Sequence, residues 1–375
     1  MFIDSQSQEV INEYKNKLKS LGSLSRLFSE NEVPFLHYRL AENLFCDVFS
    51  AENHSRSDTS ADASIGDIGF AIKTFISERD NSRQKIAEFD SLSRRLRDLR
   101  SDPLSLAGEL TRLRNDRIST TFGAHGINNI IYHIVARRIN QFLLFEESMD
   151  YINEAQINII GETPTSINFE DGNHEYSYNF SKSTLYKYFQ IPDSRLPIDI
   201  EIIESPFDII LGLINSQDFS SSQARLAQDF VILPLYSTRG NQKNVQQRSG
   251  LNQWNAHGRA RDSREVYIPI PIKIHRLKPG FFPPRETSFS LKLPNGRELD
   301  AKVCQANSKA LMSNPNKDLG HWMLDVVLRQ PRNKLVIYDK LLDIGLDSVM
   351  VTKIDDETFE IEFKEIGSYE RFINQ

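Results

Sequence analysis

In the stretch DASIGDIGFAIKTF, Asp62 and Lys73 have the spacing of a carboxylate that holds a hard divalent cation and a lysine that sits beside a scissile phosphate. Mg²⁺-dependent phosphodiester hydrolysis commonly uses Asp, a gap, then Glu-x-Lys on one strand, because residues two apart on a strand face the same side. Here Ala71 stands where the second carboxylate is expected. Glu42 on a preceding helix, or Glu52 in AENHSRSD, is expected to replace it, and Asp67 lies in the loop between. The expected set is therefore Asp62 with Glu42 or Glu52 around Mg²⁺, and Lys73 stabilising the transition state or orienting water. Against this stands the plainer reading, with Lys73 snorkelling from an edge strand and the Asp residues making turns. A second string, DDETFEIEFKEI, offers Asp355, Asp356, Glu362 and Lys364 at matching spacing. It falls in an acidic end where Glu-x-Lys is common in exposed alternating strands, so the first site is preferred.

Other chemistries are set aside. No His is followed two residues later by Lys, which excludes the His-x-Lys of phospholipase-D-type nucleases. The SKST of NFSKSTLYKYF lacks the glycine-rich loop that cradles a nucleotide's phosphates, and Lys182 and Lys187 read as DNA-backbone contacts or as ordinary surface lysines. There is no Gly-x-Ser-x-Gly, and His125, His133 and His174 lack local partners for a hydrolytic triad. Cys46 and Cys304, far apart and without Cys-x-x-Cys, imply neither disulfides nor structural zinc.

The elements that would position these groups follow from periodicity. Apolar residues at three-and-four spacing predict helices in VINEYKNKL and FLHYRLAENLFCDVF, the second carrying Glu42. HSRSDTSADASIGD reads as loop and IGFAIKTFI as a strand. Residues 78–118 read as solvated helix, with Arg94, Arg95, Arg97 and Arg100 crowded together. NIIYHIVAR, QFLLFEESM, SINFE and HEYSYNF read as strands, SSSQARLAQ as a helix and DFVILPLYS as a strand. After a polar stretch at 236–248, the segments VYIPIPIKIH, FSLKLP, ELDAKVCQ, HWMLDVVL, KLVIYDKLL, SVMVTKI and TFEIEFKEI predict strands at short intervals, with an Asn-Gly turn, as in a small barrel or pseudobarrel. The fold class is thus α+β, with a mixed α/β domain at 1–235, a linker at 236–248 and an all-β-rich domain at 249–375.

Charge separates the two parts. Residues 239–332 carry 17 Lys/Arg against 7 Asp/Glu in a chain whose net charge is −6. Binding to a polyanion follows the local field and not the average. In SGLNQWNAHGRARDSREVYIPIP the Arg residues are interleaved with Asn, Gln and Trp, side chains that read base edges and hold phosphates. No run of about 18 apolar residues and no signal-type N-terminus is present, so a cytoplasmic protein without a membrane span is expected.

Residues 240–375 resemble the B3-like DNA-recognition domain of certain bacterial type II restriction endonucleases, through the segment just quoted, FFPPRETSFSLKLPNGRELDAKVCQ and SKALMSNPNKDLGHWML. In that family two arms grip the DNA major groove. The resemblance implies a first arm of Asn252, Trp254, Asn255, Arg259, Arg261 and Arg264 and a second of Lys309, Ser313, Asn314, Asn316 and Trp322, with Trp254 and Trp322 equally open to a packing role. The first half is similar to a PD-(D/E)XK nuclease through Glu42, Asp62 and Lys73, departing from it at Ala71. Together these imply a Mg²⁺-dependent, sequence-specific double-stranded DNA endonuclease, a homodimer if both strands of a symmetric site are cut, with a cognate DNA methyltransferase as companion. The alternative is a non-catalytic DNA-binding regulator whose N-terminal domain mediates assembly.

Overall fold

Ser7 starts the first helix, α1 (Gln8–Ser23), by accepting the Val10 N–H on its hydroxyl at 3.3 Å, which satisfies one of the donors left free at a helix start. Helix α2 (Tyr38–Phe49) ends where Ser50 turns left-handed at φ 52°. In this computed structural model, which describes residues 2–216, 229–240 and 242–374, the chain divides into two compact units. The first comprises Met1–Ser55, Ser60–Thr111 and Ile127–Ala224; the second comprises Arg56–Thr59, Arg112–Gly126 and Arg225–Gln375. The helix expected at SSSQARLAQ lies outside the described residues.

In the first unit the strands are β1 (Glu52–Asn53), β2 (Ala63–Ile65), β3 (Ile68–Ile76) and β4 (Asn81–Glu88), then β5 (Asn129–Arg138) and β6 (Gln141–Ser148). They continue as β7 (Asn158–Glu162), β8 (Ser166–Glu170), β9 (Glu175–Asn179), β10 (Thr184–Gln190) and β11 (Leu196–Asp199). One six-stranded sheet runs β1-β2-β3-β5-β6-β11, and a five-stranded antiparallel sheet runs β4-β10-β9-β8-β7. Alternation along β3 sorts its side chains. Phe70 and Ile72 join Tyr14, Leu18, Ala41, Leu44 and Phe45 in a core under α1 and α2, whereas Phe75 meets Phe189 of β10 at a ring separation of 6.2 Å. Helices thus cover one face of the main sheet and the second sheet covers the other. Lys73 shares the face of Ala71 and Phe75 by the two-residue period.

Residues 81–88 were expected in a helix and form β4, which pairs along its length with β10. As an edge strand it is polar on both faces, so no apolar alternation marks it in the sequence. Helices α3 (Ser93–Asp98) and α4 (Pro103–His125) follow, α4 passing from the first unit into the second after Thr111.

In the second unit β12 (Asp229–Pro234), the hairpin β13 (Ser237–Arg239) and β14 (Gln242–Asn244), β15 (Ile268–Pro269), β16 (Ser288–Lys292), β17 (Glu298–Cys304), β18 (Ala310–Ser313), β19 (Leu346–Lys353) and β20 (Thr358–Glu365) appear in chain order. Seven of them form one sheet, β12-β19-β20-β16-β17-β18-β15, whose first and last strands approach each other, giving the nearly closed barrel expected. The stretch expected as a linker, 236–248, contains the β13–β14 hairpin, and the strand before it already pairs with β19.

Three runs expected as strands are helical. VYIPIPIKIH keeps only β15, and from Pro271 at the cap it continues as α5 (Ile272–Leu277). Proline donates no ladder hydrogen bond but fits a helix start. KLVIYDKLL forms α6 (Tyr338–Ile344). HWMLDVVL forms the π-helical turn His321–Val327 with Trp322, Met323, Leu324 and Val327 all buried. An apolar run buried on every side shows no period, so strand and helix look alike in it. Trp322 is fully buried in the barrel core, 5.1 Å from the Phe363 ring, which settles it as a packing residue.

The turn into that helix depends on Gly320. A Cβ there would lie 1.6 Å from the carbonyl oxygen of Arg264 and 2.7 Å from its carbon. Gly320→Ala is therefore expected to destabilise the second unit by about 3 kcal/mol or more, as overpacking against backbone does; urea unfolding followed by the fluorescence of its two tryptophans measures it.

Candidate active site and nucleic-acid interface

The β2–β3 ladder ends at the pair Ala63 and Phe70, so among the described residues β3 has no strand partner on that side beyond Phe70. The Ile72 N–H, left without a carbonyl, donates to the Asp62 Oδ2 at 2.8 Å. Asp62 is held from both sides, its own N–H donating to the Phe70 carbonyl at 2.7 Å and its carbonyl accepting the His54 N–H at 2.8 Å. Glu42, buried on α2, accepts from Arg39 Nη1 at 2.9 Å. Burial, then the charge of Asp62, push the Glu42 carboxyl up to about 7, against the opposing pull of Arg39 and Lys73. Burial likewise raises Asp62, opposed by Lys73, the Ile72 N–H and Arg39. Asp62 thus raises the proton affinity of Glu42, burial raises both carboxyls, and Lys73 draws both down.

The structure brings Glu42, Asp62 and Lys73 together and leaves two other expected residues out. Glu52 is exposed on β1 opposite Ser64. Asp67 is exposed at the β2–β3 turn, where its carbonyl and carboxylate accept from the Asn128 backbone at 2.8 Å and side chain at 3.3 Å. It pins the approach to β5. Ala71 is buried opposite Tyr132 and supplies nothing. Arg39, which sequence reasoning missed, fixes Glu42; its one signal is the three-residue spacing along a helix.

The second Asp-x-Glu-x-Lys string does not converge. Asp355 accepts the Glu357 N–H in the β19–β20 turn, Asp356 pairs with Lys353, and Lys364 is engaged with Arg56 and Asp58. Among the described residues no group of three or more His, Cys, Asp or Glu is placed to hold a metal ion. A hard cation that keeps most of its waters needs only one or two carboxylates besides substrate phosphate, and Glu42 with Asp62 fit that need.

Two other polar groups are structural. Tyr14, His133 and Glu146 form a buried chain, Tyr14 Oη to His133 Nε2 at 3.0 Å and His133 Nδ1 to Glu146 Oε1 at 2.8 Å, sealed among Phe45 and Phe49. No substrate reaches a fully buried Tyr14. Lys187 is buried as well, ion-paired with Glu147 and lying 5.6 Å from the Tyr132 ring centroid, so it is no DNA contact, whereas Lys182 is exposed. Both cysteines are free, and burial pushes the Cys46 thiol up to about 12.

Most of the first expected arm is spent on the protein itself. Asn252 is fully buried, its amide donating to the Gln246 and Val336 carbonyls and accepting the Val336 N–H, all at 2.9–3.0 Å. Arg264 is buried against Asp325, and Arg261 ties the loop by donating to the Ala256 and His257 carbonyls at 2.7 and 3.1 Å. Arg259 makes a two-pronged pair with Glu265 at 3.0 and 2.5 Å. Asn255 donates to the Gln247 carbonyl, and Trp254 packs partly buried on the barrel core. In the second arm Ser313 is buried, bonding the Pro315 carbonyl and the Leu319 N–H; Asn314 is exposed but donates to Asp300, and Asn316 is half-buried.

Lys309 alone of these is exposed with a hydrophobic and polar cleft beside it. The cleft, about 660 Å³, lies between β13, through Ser237 and Thr238, and the 305–309 turn, through Asn307 and Lys309, with Tyr267 and Tyr369 on its walls. Gln305, Asn307 and Ser308 hold positive φ of 68°, 59° and 52°. A backbone held in such conformations is found where surrounding structure and function fix it. Ile272, at the start of α5, also lines the cleft, and the same helix carries exposed Lys273 and Arg276. A cleft walled by chain segments distant in sequence has no local signature, which is why Tyr267, Thr238 and Asn307 were not foreseen.

No helix among the described residues is long and apolar enough to cross a membrane. No curated protein matches the chain. Residues 229–355 match the family model of the NgoFVII C-terminal B3-like DNA-binding domain, a span that takes in β12, the hairpin and every wall of the cleft except Tyr369.

Proposed function

We propose that the chain is a Mg²⁺-dependent, sequence-specific double-stranded DNA endonuclease of the type II restriction class, with a PD-(D/E)XK-like first unit. The observation that carries this reading is that the charge of Lys73 reaches two carboxylates, Glu42 and Asp62, and lowers both, in the part of the chain outside the segment matched to a restriction-enzyme DNA-binding domain. Asp62 and Glu42 would hold Mg²⁺, which when bound supplies Lewis-acid polarisation of the phosphate. Asp62 is kept in place by the Ile72 N–H, and Glu42 by Arg39. Lys73 offers its ammonium to the charge that develops on the phosphate oxygens. The barrel supplies targeting, through Lys309 and the cleft beside it. Cutting both strands of a symmetric site calls for two copies of the chain, and a cognate methyltransferase would protect host DNA.

A second reading, a DNA-binding regulator without catalysis, is favoured by Ala71 and by the lack of a three-ligand cluster among the described residues. Incubating the protein with mixed-sequence plasmid in Mg²⁺ and in EDTA separates the two. Discrete fragments in Mg²⁺ alone are expected; retained complexes with no cutting under any divalent metal would leave only the regulator. In the same binding assay Lys309→Ala is expected to lower the slope of log affinity against log salt by about 1, as loss of one phosphate contact does. An unchanged slope would place the DNA elsewhere on the barrel.

A further inference from the structure

The segment between β1 and β2 enters the second unit at Arg56, leaves it after Thr59, and reaches Asp62 three residues later. Within the second unit it is clamped on β20. The Asp58 N–H donates to the Phe363 carbonyl at 3.2 Å, Lys364 Nζ donates to the Arg56 carbonyl at 2.7 Å and lies 3.0 Å from Asp58 Oδ2, and the Glu365 N–H donates to the same Oδ2 at 2.9 Å. Thr59 Oγ1 bonds His125 Nε2 at 2.8 Å, also in the second unit. Within the first unit the segment is tied at both ends. The Ser55 carbonyl accepts from Arg39 Nη1 at 2.7 Å, the atom that also holds Glu42, and the His54 N–H bonds the Asp62 carbonyl.

So short a chain has little slack, since successive Cα atoms are fixed about 3.8 Å apart. Displacing Asp58 must strain Asp62 or the Arg39 link. β20 in turn belongs to the sheet whose strands β12, β15 and β18 adjoin the cleft, and packed sheets shift as connected bodies. Neither the cleft nor the Glu42–Asp62–Lys73 group uses Lys364.

We propose that Asp58 and Lys364 are positioning residues, which tie Asp62 and Glu42 to the barrel so that occupation of the barrel by DNA resets the segment carrying Asp62. The proposal rests on the DNA-binding reading above and not on catalysis. Hydrogen exchange of peptides spanning residues 52–72 tests it, in EDTA, with and without saturating mixed-sequence plasmid. In the wild type, exchange there is expected to change about threefold or more on adding DNA. Asp58→Ala and Lys364→Met are expected to hold DNA within twofold of wild type and to lose that change, and Lys364→Arg to restore it. Thermal melting of each variant checks that it is folded. A change of wild-type size in both folded variants, or none in wild type that binds the plasmid, overturns the coupling. Failure of the wild type to bind DNA at all overturns the DNA-binding reading, and the coupling with it.

Discussion

Lys73→Ala is expected to slow Mg²⁺-dependent plasmid cleavage by about 100- to 1,000-fold, the usual loss when a preorganised charge that meets the transition state is removed. DNA retention is expected to stay within a factor of two, because Lys73 belongs to the first unit and the cleft to the second. On the proposed reading Lys73 acts in two ways that the variant removes together. Its ammonium is lost to the phosphate, and Glu42 and Asp62, both of which it holds down, bind protons more tightly still and so compete less well for a cation. Initial rates across a Mg²⁺ series separate the two: excess Mg²⁺ recovers the second loss and leaves the first. A variant that cuts at full rate would return Lys73 to an edge-strand lysine. Because Lys364 is also proposed to position the segment carrying Asp62, loss of cutting in Lys364→Ala would move the chemistry to β20 only where Lys73→Ala still cuts at full rate.

The grouping of Asp62 with Lys73 was legible in their spacing, Asp, a gap and then a lysine on a strand, and β3 is the regular strand that spacing requires. Glu42 was legible as one of two candidates for the place of Ala71, and only tertiary structure sets Glu42, on α2, within the field of Asp62 and Lys73 and leaves Glu52 exposed on β1. The barrel was legible in its strands β16, β17, β19 and β20, each alternating or flanked by turn residues. Residues 321–327 and 338–344 misled for the same reason as one another: an apolar run packed on all sides carries no period. The first arm is ambiguous in the sequence for a different reason. Arg and Asn serve equally well to read a base and to tie a loop, and Arg261, Arg264 and Asn252 do the second. Sequence shows the donors but not the acceptors already waiting for them. The role of Arg56–Thr59 was hidden in a Ser/Asp-rich loop whose partners lie on β20 near the other end of the chain.

Glu42→Gln is expected to stabilise the metal-free protein at pH 8 by about 2–3 kcal/mol relative to wild type, and to leave stability near pH 4 unchanged. The sign follows from the raised carboxyl. Unfolded, Glu42 loses its proton near the ordinary value of about 4.3; folded, it keeps the proton to about 7. Between those values the folded chain binds more protons than the unfolded one, so stability falls as pH rises and the full penalty stands above pH 7. A neutral amide of the same shape removes that penalty, at the cost of part of the Arg39 interaction. Glu362, raised to about 7 by burial, adds a fall of the same sign that Glu42→Gln leaves in place, so the variant flattens the pH profile without abolishing its slope. Urea unfolding in EDTA at pH 4, 6 and 8 reads the difference. Added Mg²⁺ is then expected to stabilise the wild type at pH 8 and to stabilise Glu42→Gln far less, because an ion that binds only the folded chain stabilises by its affinity and the amide carries no charge to attract it. An equal shift in both proteins would mean that Glu42 holds no metal, and that the carboxyl is raised only because the fold has buried it beside Asp62.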